Sequence, residues 1–128
     1  MIRVVMAITA TLAMEVTAMA DKVTFDADAI GSVPAGWTVA KTGSGDPKWT
    51  VEEDPTALSK SKAVKQSGRA TYPLLLKNET MVKDGFVEVR FKAILGSEDR
   101  AAGIVWRVRD ANNYYVVRAN ALEDSVVL

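Results

Sequence analysis

The run Ala102-Gly103-Ile104-Val105-Trp106-Arg107-Val108-Arg109, then Asp110-Ala111-Asn112-Asn113, then Tyr114-Tyr115-Val116-Val117-Arg118-Ala119-Asn120-Ala121 decides the fold of this chain. Two segments rich in β-branched and aromatic residues flank a cluster of turn formers, a combination that predicts a β-hairpin. With Ala111 and Asn112 at the tip, Arg109 faces Tyr114, Arg107 faces Val116, Val105 faces Arg118 and Gly103 faces Asn120. The other face of the ribbon carries Val108 with Tyr115, Trp106 with Val117, and Ile104 with Ala119. One face is almost wholly apolar. The other holds three arginines, a tyrosine and an asparagine. A slip of one residue mixes the two sets, so the register is strongly specified. A half-buried antiparallel sheet with a polar, solvent-facing surface follows.

Composition bounds the rest. The chain has 128 residues, no cysteine and no histidine, with 16 basic and 16 acidic side chains. That length suits one domain. Zero formal charge gives no global pull toward nucleic acid or anionic lipid. Without cysteine there is no disulfide or thiol chemistry, and without histidine the common zinc sites and every histidine-dependent triad are excluded. Acid–base chemistry is left to carboxylates, lysine or tyrosine.

Residues 1–20 read as a secretory signal peptide. Met1-Ile2-Arg3 is a short positive region, Val4 to Met14 is an uncharged apolar run too short to span a bilayer, and Ala18-Met19-Ala20 is a small-x-small cleavage site. Glu15 is out of pattern, and the competing reading is a buried N-terminal helix. Export without cysteine points to a bacterial periplasmic or secreted protein with no membrane span once the leader is removed.

Residues 21–128 then form the domain. Strands are expected at Val23–Phe25, Trp37–Ala40, Trp49–Glu52, around Ala63–Gln66, at Tyr72–Leu76 and at Phe86–Ile94. Gly31 to Gly36, Gly43 to Pro47, Asp54-Pro55 and Lys83 to Gly85 punctuate them. In Phe86–Ile94, Val87, Val89, Phe91 and Ala93 alternate with Glu88, Arg90 and Lys92. Leu95 to Arg100 reads as a loop, and Val126-Val127-Leu128 opens a strand with no continuation. Short strands with Gly/Pro turns and no helix indicate an all-β antiparallel sandwich. A strand ending in three apolar residues leaves an open edge, so the sandwich is expected to be incomplete at its C-terminus, with dimerisation by edge-strand addition as one consequence.

The hairpin also carries a resemblance. Gly103-Ile104-Val105-Trp106-Arg107, Asp110 and Asn112-Asn113-Tyr114-Tyr115-Val116-Val117-Arg118 resemble the signature of bacterial secreted domains in the concanavalin A-like lectin/glucanase superfamily. The group they are most similar to is the 3-keto-disaccharide hydrolase-like one, loosely described as glycoside hydrolase family sixteen-like. Phe25-Asp26, Asp28, Gly31 and Pro34-Ala35-Gly36-Trp37 are similar to the opening of such domains, and Gly85 to Val89 fit the strand before the signature. The resemblance implies a jelly roll of two curved sheets, with sugars on the concave face. The Glu-x-Asp-x-(x)-Glu catalytic motif of true family-sixteen glucanases is not present, and neither Glu52-Glu53-Asp54 nor Glu123-Asp124 has the spacing that puts carboxylates on one strand face.

Candidate site residues follow from the polar sheet face. Pairing Phe86–Ile94 with the first hairpin strand so that Val89 meets Trp106 sets Glu88 opposite Arg107 and Phe86 opposite Arg109. It gathers Glu88, Arg90, Arg107, Arg109, Tyr114, Arg118 and Asn120. Four arginines to one carboxylate make the face locally basic. Arginine forks suit sugar hydroxyls and, better, carboxylates or sulfates. The plainer reading is a solvated face with cross-strand ion pairs of small value, including Glu88–Arg107. Glycoside hydrolysis needs two carboxylates at a fixed separation, and only Glu88 is a candidate. Asp26 and Asp28, with Asp46, are candidate calcium ligands or plain turn residues, and no other cofactor is indicated. Trp106 is expected in the core. Trp37 and Trp49 are core anchors or sugar platforms. The expected function is glycan recognition on the polar face. The alternatives are a glycoside hydrolase of the 3-keto-disaccharide type and a non-catalytic cell-envelope module.

Overall fold

The computed structural model describes residues 21–97 and 100–128. The leader expected over residues 1–20 lies outside the described residues, as do Glu98 and Asp99 of the loop before the hairpin. Among the described residues the chain is all-β. Its strands are β1 (Trp37–Asp46), β2 (Trp49–Glu53), β3 (Lys62–Gln66), β4 (Arg69–Lys77), β5 (Ala101–Asp110), β6 (Asn113–Asn120) and β7 (Ser125–Val127). All pairing is antiparallel: β1 with β4, β2 with β3, and β5–β6–β7 in order. No helix among the described residues is long and apolar enough to cross a membrane.

β2 and β3 form the inner pair of a nested arrangement whose outer pair is β1 and β4. Trp37 lies opposite Lys77 and Lys41 opposite Pro73. That proline is tolerated because both strands of a two-stranded sheet are edges. β1 runs past Ala40, where the turn residues suggest a stop, as far as Asp46. Gly43 makes this extension work. It sits at φ +82 beside a register shift, and a Cβ there would lie 2.9 Å from the Thr71 Cβ. Only glycine accepts both conditions without strain. On β2, the Gly31 N–H donates to the Val51 carbonyl and the Val51 N–H to the Ser32 carbonyl, each at 2.8 Å. This closes a small core in which Val51 is 0% exposed, Leu74 is 7% exposed and Pro34 is fully buried. Val23–Phe25 forms no strand; the Phe25 ring packs on Trp37 at 5.8 Å.

The β5–β6 hairpin has the expected tip, with Asp110 opposite Asn113. Beyond it the ladder shifts, so that Trp106 meets Tyr115, Val105 meets Val116 and Gly103 meets Arg118. The shift is by two residues, which preserves the parity of the faces although every partner changes. Its cause lies in the turn. Neither Ala111 nor Asn112 takes a positive φ, so the tip is not one of the mirror-image turns whose twist matches the strands. The mismatch is absorbed at Arg107–Arg109, where Arg107 adopts φ +50.

Two expectations are corrected here. Phe86–Ile94 forms no strand and does not pair with β5. Glycines at φ +151, Gly85 and Gly96, bracket the segment, and its Lys92 ammonium is bound at Asp54 in the β2–β3 connection. Its attachment is therefore to another part of the chain, and among the described residues the outer edge of β5 carries no ladder. Trp106 is not core either. It is 40% exposed and stacks on its cross-strand neighbour Tyr115, since among the described residues no second layer covers this face.

Candidate functional site

The hairpin tip is fixed to β1 by one hydroxyl. Thr42 Oγ1 donates to the Ala111 carbonyl at the apex of the turn. Thr42 has a single proton, so the Tyr114 hydroxyl, 2.7 Å away, donates to Thr42 Oγ1. Inside the turn, Asp110 Oδ1 accepts from the Asn112 N–H at 2.8 Å, and both carboxylate oxygens accept from Asn113 Nδ2 at 2.9 Å. The Asn112 backbone bond and then the Asn113 side-chain bond hold the Asp110 carboxyl below the usual carboxylate range.

This braced tip carries an open hollow of about 520 Å³ lined by Arg107, Arg109, Asn112, Asn113, Tyr114 and Tyr115. The bulge re-aims the first of these. In an unbroken ladder Arg107 points away from the Trp106–Tyr115 face. At φ +50 its guanidinium lies 5.9 Å from the centre of the Tyr115 ring, within cation–π range. The Trp106 and Tyr115 rings are 5.8 Å apart and near-parallel at 22°. Among the described residues no carboxylate is paired with Arg107 or Arg109. The ion pairs there are Lys41–Asp46, Arg90–Glu88 and Lys92–Asp54.

Three of the residues expected from sequence, Arg107, Arg109 and Tyr114, come together in this hollow. Glu88 and Arg90 do not join them. They lie in the unpaired segment and face each other at 3.5 Å, both exposed, so the expected Glu88–Arg107 pair is replaced by a local one. Arg118 and Asn120 lie farther along β6, opposite Gly103 and Ala101. Asn120 is 3% exposed, and its Oδ1 accepts from the Arg100 N–H at 3.3 Å and the Leu122 N–H at 3.0 Å. It organises the loop ends around β6 and offers no surface to a ligand. Asn112, Asn113 and Tyr115 were not among the expected site residues. The asparagine doublet at the tip was the available signal, whereas Tyr115 joins the site only because of the bulge.

The expected calcium ligands have other engagements. Asp28 Oδ1 accepts from the Ala35 N–H at 2.9 Å, and Asp26 Oδ1 from the Ser59 hydroxyl at 2.7 Å. Their carbonyls converge on the Lys62 ammonium, at 3.0 Å from Asp26 and 2.8 Å from Asp28. A cationic centre is thus supplied by the chain itself. Asp46 is exposed, 3.9 Å from Lys41 Nζ. Among the described residues no group of three or more acidic side chains could hold a metal. Trp49 is half-buried, with its indole N–H enclosed and, among the described residues, without a partner.

Asp54 is the other perturbed carboxylate among the described residues. Lys92 Nζ lies 2.8 Å from Oδ2, while the Thr56 hydroxyl and N–H donate to Oδ1 at 2.6 and 2.8 Å. The Lys92 contact, followed by the two from Thr56, lowers its pKa to about 2. A lowered value is the opposite of what a general acid needs at neutral pH.

No protein-family model, curated protein or solved structure matches the chain.

Proposed function

We propose that this chain is an exported carbohydrate-recognition module that takes a saccharide at the tip of the β5–β6 hairpin. One observation carries the reading: a single hollow gathers two guanidinium groups, two carboxamides and two tyrosine rings, with no carboxylate in its lining among the described residues. Sugar hydroxyls are recognised by planar donor forks and by amides that both donate and accept. Pyranose rings pack their C–H faces on aromatic side chains, and Tyr114 and Tyr115 provide such rings. The Thr42 anchor and the Asp110 turn fix the lining before any ligand arrives, which limits the ordering cost of binding. Export rests on the leader pattern of residues 1–20. A concanavalin A-like jelly roll rests on the resemblance of the hairpin signature. The proposed site differs from the one expected from sequence: it lies at the end of the hairpin, not across the middle of a sheet. Hydrolysis needs two carboxylates about 5–10 Å apart, so recognition is preferred to catalysis.

A glycan array tests the reading. The purified chain is compared with Arg107→Gly, which removes the guanidinium while suiting the positive φ, and with Arg109→Ala. Binding that falls roughly tenfold or more in both variants supports the site, since a hydrogen bond to a charged group contributes about 1.5–3 kcal/mol. A Glu88→Ala/Arg90→Ala double variant is expected to bind like the parent. A folded chain that binds nothing, or whose binding survives both hollow variants, overturns the proposal.

A further inference from the structure

Resting on that reading, we infer that the group recognised in the hollow is a carboxylate, so that the ligand is a uronate-containing glycan. The chain as a whole is neutral, with 16 basic and 16 acidic side chains, yet the hollow is not. Arg107 and Arg109 both line it, and among the described residues no carboxylate does. The nearest carboxylate in sequence, Asp110, gives its oxygens to the Asn112 N–H and to Asn113 Nδ2. It stabilises the turn, and among the described residues no carboxylate matches the two guanidinium groups.

The balance of donors points the same way. A guanidinium has five N–H donors and no acceptor, whereas each sugar hydroxyl brings a proton that also needs an acceptor. A neutral saccharide would leave many of its hydroxyl protons facing two cations. A carboxylate is planar and acceptor-only, and it matches the guanidinium fork with two parallel bonds. The tyrosine rings add what a free inorganic anion does not use, a surface for the pyranose that bears the carboxylate. The backbone agrees. Arg107 is held at φ +50, a region that is costly for a residue with a side chain. Here that conformation brings a guanidinium to the Tyr115 ring inside the hollow.

Calorimetric titration of the purified chain with trisaccharides of galacturonate, glucuronate, mannuronate and guluronate, each beside its methyl ester, isolates the charge. The ester keeps the sugar and removes the anion. At least one acid is expected to bind, with its ester weaker by about tenfold or more. Arg109→Ala is expected to weaken the acid by a similar factor and the ester by clearly less, so that the gap between acid and ester narrows. Raising the salt from about 50 to 500 mM is expected to weaken the acid alone, because screening acts on the charged contact. Equal binding of acid and ester overturns the carboxylate inference while leaving the saccharide site standing. So does binding of a sulfated trisaccharide by a chain that ignores every uronate. A folded chain, verified by circular dichroism, that binds neither acids, esters nor sulfated sugars overturns both.

Discussion

Residue types at the hairpin were legible from sequence, but what each side chain is used for was not. Arg107, Arg109 and Tyr114, read from sequence as part of a sheet face, meet instead in a hollow at the hairpin tip. Asn120, on the same strand, spends its carboxamide oxygen on two backbone N–H groups. A sequence shows that an asparagine faces a given side; it does not show which backbone donors a neighbouring loop will bring to it. Asp54 teaches the same lesson. Its Asp-Pro-Thr setting suggests a turn, and the Asp54–Thr56 bonds confirm one, but the third partner, Lys92, comes from far along the chain. With a folded pKa of about 2 against an ordinary 3.8, Asp54 favours the folded state in its charged form. That contribution is fully present above about pH 4 and is lost as the pH falls through 2. Lys92→Met is expected to move the Asp54 midpoint upward, part of the way to the ordinary value, since the Thr56 bonds remain. Carboxyl-carbon NMR titration reads this directly, and an unmoved midpoint would contradict the role given to the ammonium.

At the scale of elements, parity was legible and register was not. The alternation of β5 and β6 sorts residues onto two faces, and the two-residue shift keeps that sorting in the paired ladder but not at Arg107 in the bulge. The shift itself depends on backbone angles at Arg107 and in the turn, which composition does not encode. β1 shows the converse error. Gly43 and Gly45 were read as the end of a strand, and they are instead what lets it continue through a bulge. Two substitutions separate the causes. At Gly36, φ is +79 and nothing lies within 4 Å of an added Cβ, so Gly36→Ala is expected to cost only the backbone penalty of about 1–2 kcal/mol. At Gly43 the φ is similar but the Thr71 Cβ is 2.9 Å from the added atom, so Gly43→Ala is expected to cost clearly more. Urea denaturation midpoints measure both. Equal losses would show that the sheet yields to the extra carbon. Because Thr42 directly precedes Gly43, the same variant is expected to loosen the hairpin anchor and weaken ligand binding.

For the whole molecule, an all-β antiparallel fold was legible, while the partner of each strand-like segment was not. Alternation in Phe86–Ile94 states what a strand would bury if it had a neighbour; tertiary contacts decide whether it has one. Here Phe86 is 82% exposed, Val87, Val89, Phe91 and Ile94 are exposed too, and Lys92 ties the segment to Asp54. Among the described residues no backbone hydrogen bond joins 86–94 to another segment, and the outer edge of β5 stays unpaired. Amide hydrogen exchange at neutral pH is therefore expected to be fast throughout 86–94 and slow in the β1–β4 and β5–β6 ladders. Protection of alternate amides in 86–94, matched to that of β5, would mean that the segment has zipped onto the free edge. That outcome would also change the site. Such pairing sets Glu88 opposite Arg107, gives the guanidinium a carboxylate of the chain's own, and removes the charge imbalance that favours an anionic sugar. Fast exchange and uronate binding are thus expected together, because both require that Arg107 remain available at the hairpin tip.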